Sequence, residues 1–240
     1  MPDIIIWPET LAPETMTADV TAFTRSGGAS LGGVTRVTRT DAGWWTIAFD
    51  KVALFEPADV RVWDAVASDL GGMAGLVSVP VWSRHTAPWL SGAPEDAFLT
   101  THSDGTPHSD DTPYAQGAIS VVAHAAATIG ATVLRLRIVR GAGDLSGCRF
   151  SHLTGAAPAL YRTGRAIDIT GDVWTLRISP PLRAPIAAGD SLEFDMPRCL
   201  CRLASDDAMA RKETNVLPVT PSVSFAEATD YWSDLAAGLL

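Results

Sequence analysis

The sequence predicts a mainly β protein made of two antiparallel β-sandwich or barrel-like domains, with one helix at about residues 57–70 packed on the first. Three observations lead to this fold class: apolar and polar residues alternate over several short segments, turn-forming residues separate those segments, and only one segment has helical periodicity. The chain has 240 residues, of which 47% are apolar, so it is long enough to bury the cores of two such domains.

The alternating segments predict which side chains face the core. In the segment 44–50, Trp45, Ile47 and Phe49 share one face, while Thr46 and Asp50 lie on the other. The same period predicts inward-facing residues in three later segments: Leu134, Leu136 and Ile138; Trp174, Leu176 and Ile178; and Leu192, Phe194 and Met196. Residues 75–82 and 222–226 are further strand candidates.

The helical segment carries its own start and stop signals. Pro57 suits the first helical position, and Asp59 complements the positive end of the helix dipole. Gly71 can adopt the left-handed conformation that ends a helix. We therefore expect a helix of three to four turns that packs across one sheet.

Composition along the chain predicts four segments. Residues 1–90 form a β-sandwich with the helix, and the Pro-rich residues 91–116 form a linker or arm. Residues 117–205 form a second β domain, and residues 206–240 form a C-terminal strand followed by an apolar tail. Apolar residues at a chain end must dock, either on a neighbouring subunit or on the chain's own body.

Charge and cysteine usage exclude several classes of function. The net charge is −9, which disfavours a general nucleic-acid-binding protein because a phosphate backbone would be repelled. No apolar stretch is long enough to span a membrane, and the first residues lack a signal peptide, so we expect synthesis in the cytoplasm. The three cysteines predict no disulfide framework, and Cys199 and Cys201 are expected to be small buried side chains.

Candidate chemistry is sparse in the sequence. The segment 102–111 holds two histidines and three aspartates, but its spacing matches no known metal-binding pattern and predicts a turn-rich loop. No nucleophile-elbow, P-loop or dinucleotide-binding motif occurs. We therefore predict no catalytic residue, no cofactor and no metal ligand. A hydrolase using Asp104, Asp110 or Asp111 stays open as a minor alternative.

A series of short motifs gives the chain a resemblance to a known family. The motifs are Leu31 to Val34, Trp44 to Phe49, Trp63-Asp64-Ala65, Leu70-Gly71-Gly72, Val77 to Trp82, His102 to Pro107, Leu160-Tyr161-Arg162, Trp174 to Ala184, Ala187 to Asp190 and Pro197-Arg198-Cys199. In this order the segments resemble tail proteins of long-tailed, siphovirus-like bacteriophages, of the distal tail or minor tail type. The resemblance covers roughly residues 25 to 205.

The resemblance implies a structural role in an assembly. Proteins of this family form a ring, commonly a hexamer, that joins the tail tube to the host-engaging tip. The expected partners are further copies of the chain, the tail tube protein and other tail-tip proteins, and the expected location is the tail of the virion. Side chains expected to contact subunits or partners are Trp44, Trp89, Tyr231, Trp232 and Leu235. Removal of residues 228–240 is expected to impair ring assembly without unfolding the chain.

A carbohydrate-binding β-sandwich module is the alternative function. Such a module recognises a host surface through exposed aromatic side chains that stack on sugar rings. Trp44, Trp89 and Trp232 are the candidates for this platform.

Overall fold

A computed structural model gives the protein a mainly β architecture, which confirms the predicted fold class. The structure describes residues 3–29, 35–82, 85–92, 98–100, 114–116, 118–212 and 217–239. The strands are β1 (Ile4–Ile6), β2 (Pro13–Ala29), β3 (Thr35–Val52), β4 (Leu76–Pro80), β5 (Phe98–Thr100), β6 (Tyr114–Gln116), β7 (Ser120–Ala123), β8 (Val133–Arg140), β9 (Arg149–Thr154), β10 (Ala157–Thr170), β11 (Val173–Ser179), β12 (Ser191–Leu192), β13 (Arg198–Leu203) and β14 (Val223–Glu227). The α-helices are α1 (Pro57–Leu70) and α2 (Thr229–Ala236).

The first sheet has six strands in the order β1-β4-β13-β14-β3-β2. Its neighbours are antiparallel except for β1 and β4, which are parallel. Trp45, Ile47 and Phe49 are each at most 1% exposed, which confirms the alternation predicted for β3. They form one core with the α1 side chains Trp63 and Leu70.

Helix α1 confirms the predicted bounds, and its ends show why it forms there. Pro57 occupies the first turn, and the side chains of Glu56 and Asp59 each bond a backbone N–H in a reciprocal capping arrangement. Gly71 ends the helix with φ 56° and ψ 44°, a left-handed conformation that costs a glycine little. The helix thus starts and stops on local chemistry, while its buried face holds it against the sheet.

The second sheet also has six strands, in the order β12-β7-β8-β11-β10-β9. Paired backbone hydrogen bonds between Ser151 and Glu193 bring its two edges together, so the sheet is nearly closed into a barrel. The predicted inward residues of β8 and β11 are buried or partly buried in its core. Leu192 and Phe194 are buried as predicted, but Met196 is 39% exposed, because it lies in a bend beyond the last bridge at Glu193.

The two sheets are not consecutive segments of the chain. Strand β13 falls within the predicted second domain at 117–205, yet it is hydrogen-bonded in the first sheet, between β4 and β14. The predicted linker 91–116 contains β5 and β6, which pair as a two-stranded ladder. The first sheet therefore contains strands from both ends of the chain, because β13 and β14 pair with strands that lie before residue 90.

The predicted C-terminal strand is present as β14, and the predicted docking tail that follows it forms a helix, α2, which the sequence did not predict. Tyr231 and Trp232 are 6% and 3% exposed and pack in the same core as the second sheet. Their rings meet edge to face, with centroids 5.2 Å apart. Of the two docking options that the sequence left open, the tail uses the chain's own body.

Candidate assembly site at the base of a long hairpin

A long two-stranded hairpin extends beyond the first sheet. Strand β14 pairs with β3 only between Thr46 and Phe49, whereas β2 and β3 remain paired as far as Ala29 and Thr35. The paired segments 22–29 and 35–42 are called the hairpin arm below. Over the described part of the chain no third strand pairs with this arm. Within these residues its outer backbone edges have no strand partner, and unpaired edges of this kind are suited to pairing with another chain.

The arm leaves the sheet at a bulge. Between the pairs Thr21–Trp44 and Phe23–Thr40, β2 contributes one residue and β3 contributes three. Such a bulge bends the ribbon and increases its twist. Gly43 lies in it, and a Cβ at this position would come within 2.8 Å of a Val20 methyl group, so only glycine fits here without a shift.

A buried ion pair fixes the base of the arm. Arg183, between β11 and β12, donates to both carboxylate oxygens of Glu227 at 2.8 and 3.0 Å. The Glu227 side chain is fully buried, and the Arg183 side chain is 17% exposed. The same guanidinium donates to the Gly43 carbonyl at 2.7 Å, while Glu227 accepts the Trp45 backbone N–H at 3.0 Å. We call these four residues the arm clamp.

Further hydrogen bonds join the two sheets around the arm clamp. The Trp45 indole N–H donates to the Leu160 carbonyl at 2.7 Å, and the Tyr161 hydroxyl accepts the Arg183 backbone N–H at 3.0 Å. Burial raises the pKa of Tyr161 well above its ordinary range, so the hydroxyl stays neutral. The second sheet thereby holds β3 at the point where the arm begins.

Two arginines of the second sheet reach the edge strand β2. Arg149 donates to the Ala18 carbonyl at 3.0 Å, and Arg162 pairs with the Asp19 carboxylate at 3.1 Å. The Arg162 guanidinium also lies 6.0 Å from the centre of the Trp45 ring, within the range of a cation–π contact. Both strands of the arm are thus anchored at their base by side chains from the second sheet.

The five residues predicted as subunit or partner contacts are differently placed. Trp44 lies at the base of the arm and keeps part of its surface exposed. Trp89 is 4% exposed, and Tyr231 and Trp232 are buried as described above. Leu235 is partly buried against the same core. Trp89 and Trp232 therefore offer no flat face to a sugar ring, and of the predicted aromatic platform only Trp44 has an exposed surface.

The segment 102–111, with its histidines and aspartates, lies outside the described residues. Within the described ranges, no group of three histidine, cysteine or acidic side chains is arranged to hold a metal ion. None of the helices in those ranges has the length and apolar character needed to cross a bilayer.

The three cysteines are free and buried, as the sequence predicts for Cys199 and Cys201. Burial, aided by the nearby Asp144 charge, raises the pKa of the Cys148 thiol to about 12. The pKa of Cys199 is raised well above its ordinary value, chiefly by burial. Thiolates are the reactive form of cysteine, so the folded Cys148 and Cys199 thiols should be inert at neutral pH.

This burial predicts a loss of stability in alkali. The Cys148 thiol ionises near its ordinary value of 9.0 in the unfolded chain but only at about 12 in the folded one. Its contribution to the free energy of unfolding is complete below pH 9 and falls as the pH rises towards 12. We expect Cys148→Ala to flatten this decline, measured by urea unfolding at a series of alkaline pH values. An equal decline in the variant would contradict the assignment to Cys148.

The arm clamp was not predicted from the sequence, although one signal pointed to Glu227. Val223 and Phe225 face the core from β14, and the period of two places Glu227 on the same buried face. A carboxylate at such a position needs a cationic partner. The identity of that partner, Arg183, depends on a contact across 44 residues and only emerges from the fold.

No family model matches this sequence, and no curated protein matches it.

Proposed function

We propose that this protein is a structural component of a phage tail tip, a distal-tail-type ring protein that joins the tail tube to the host-engaging tip. The observation that carries the proposal is the hairpin arm, which continues beyond the sheet without a third strand among the described residues. An isolated two-stranded hairpin is marginally stable in water, so an arm of this length gains most from a partner surface. The motif resemblance over residues 25–205 and the mainly β fold with a helix on the first sheet agree with this role.

The charge distribution favours another copy of the chain as the partner of the arm. Residues 22–42 hold three arginines and one aspartate, for a net charge of +2. The other residues hold 15 basic and 26 acidic side chains, for a net charge of −11. A basic arm and an acidic body attract each other between copies, and such head-to-tail contacts close into rings. The proposed product is a homo-oligomeric ring, commonly six subunits, that binds the tail tube protein and other tail-tip proteins within the virion.

Shortening the arm tests the proposal. In one variant, residues 23–41 are replaced by Asn-Gly, a sequence that favours a tight hairpin turn. We expect the full chain to form rings and the shortened chain to remain a folded monomer, because the described cores of both sheets lie outside the arm. Light scattering coupled to size exclusion measures the mass, and negative-stain microscopy shows the particle.

A length-matched control separates the backbone of the arm from its charge. Arg25, Arg36 and Arg39 are replaced by serine in an arm of full length. Weaker assembly that no longer decreases with added salt would assign part of the contact to the basic charge of the arm, whereas unchanged assembly would assign the contact to the strand edges. A full-length chain that stays monomeric at high concentration, or a shortened chain that still forms the ring, would contradict the proposal.

A further inference from the structure

A cavity of about 570 Å³ opens beside the edge strand β2. Glu14 and Met16 of β2 form one side of its wall. Arg149 of β9 and two residues that follow β4, Trp82 and His85, complete it. The volume lies within the range of pockets that hold small molecules. Because the wall joins an aromatic ring, an imidazole and a guanidinium, the cavity has the mixed character of a ligand site.

Within the described ranges, Arg149 has no carboxylate partner in this cavity. Its guanidinium donates to the Ala18 carbonyl at 3.0 Å, and no acidic side chain of those ranges lies within ion-pair distance. The charge of Asp19 raises the pKa of Arg149, but the Asp19 carboxylate is paired with Arg162 at 3.1 Å. Burial lowers the pKa of the Arg149 guanidinium, with the Arg162 charge acting in the same direction. A partly buried cation without a counter-charge is costly, and a bound anion would relieve that cost.

The other charged groups leave the cavity suited to an anion. The Glu14 carboxylate is paired with Lys51 at 3.1 Å, with both side chains 61% exposed, so its charge is compensated at the rim. His85 is exposed and can donate a hydrogen bond from its ring. Trp82 is partly buried, with the Phe49 ring centre 5.5 Å away, and its indole supplies an apolar surface to the cavity.

We propose that this cavity binds a small ligand whose carboxylate or phosphate group is held by Arg149 and whose ring lies against Trp82, with His85 at the rim. Guanidinium groups bind both oxyanions through paired N–H donors. The proposal is independent of ring assembly, since it concerns a site within one copy of the chain.

Titration with three related sugars tests the site. Glucuronate carries a carboxylate, glucose 6-phosphate carries a phosphate, and glucose carries neither. We expect at least one of the two anions to bind with a Kd of about 1 mM or tighter, and glucose to bind about tenfold more weakly or not at all. Isothermal titration calorimetry measures the affinity, and amide chemical-shift changes locate the contact. The anion with the lower Kd shows whether the site prefers a carboxylate or a phosphate group.

Variants assign the binding to Arg149. Arg149→Ala should reduce the affinity for the anion about tenfold or more, and Arg149→Lys should recover part of it because the charge remains. His85→Ala, at an exposed position, tests the rim without disturbing the core. Arg137→Ala is the matched control, because Arg137 is exposed on β8 and does not line the cavity.

Four outcomes would overturn the proposal. They are no binding of either anion at millimolar concentration, equal binding of glucose, full affinity in folded Arg149→Ala or Arg149→Lys, and shift changes away from β2, β9, Trp82 and His85. Loss of ring assembly in Arg149→Lys, without any small-ligand binding to the original chain, would assign the cavity to a subunit contact instead.

Discussion

Glu227→Ala is expected to lower the free energy of unfolding by about 3–5 kcal/mol, because it leaves Arg183 charged and largely buried without its partner. The substitution also removes the acceptor for the Trp45 backbone N–H. Urea unfolding followed by tryptophan fluorescence measures the loss. Hydrogen exchange at the Trp45 amide should accelerate beyond what the global loss explains, because this amide donates to the carboxylate that is removed.

An exposed ion pair provides the matched control. Glu14→Ala removes the partner of Lys51, a pair in which both side chains are 61% exposed, and should cost less than about 1 kcal/mol. In a double-mutant cycle, Arg183→Ala combined with Glu227→Ala should cost less than the two single losses together, since no lone charge remains buried. If Glu227→Ala costs no more than Glu14→Ala, the arm clamp is not a stabilising feature.

Trp232→Ala is expected to cost about 3–5 kcal/mol, because it empties the space that the indole fills between α2 and the core of the second sheet. Removal of residues 228–240 exposes the same core by deleting Ala228, Tyr231 and Trp232 together. The sequence-based expectation that this deletion spares the fold is therefore replaced by an expected loss of folded protein. Thermal and urea unfolding of the substituted and truncated chains measure both effects.

Two further substitutions in the same tail test whether the loss of stability comes from the packing of the Trp232 ring. The Trp232 Nε1 is buried without a hydrogen-bond partner in the part of the chain that the structure describes. Trp232→Phe should therefore cost less than about 1.5 kcal/mol, since most of the apolar volume remains and no hydrogen bond is lost. Leu239→Ala, at a side chain 73% exposed, should be neutral. A fully stable Trp232→Ala variant would show that the tail is not part of the core.

Local sequence patterns predict those elements whose structure depends on residues close together in the chain. The bounds of α1 follow from Pro57, Asp59 and Gly71, which lie within the helix or next to it. The buried face of β3 follows from the alternation around Ile47. The tail shows the opposite case, because an eight-residue helix has little stability of its own and forms where Tyr231 and Trp232 can dock on a core.

Local sequence patterns predict a mainly β chain, the place of its long helix, the inward faces of most strand residues and the burial of Cys199 and Cys201. Three features are visible only in the fold: β13 and β14 pair within the first sheet, the tail docks on its own chain, and Arg183 contacts Glu227 at the base of the arm. The division has a physical reason. Side-chain periodicity and turn chemistry act between neighbouring residues, whereas strand pairing and ion pairing depend on which distant segments the fold brings together.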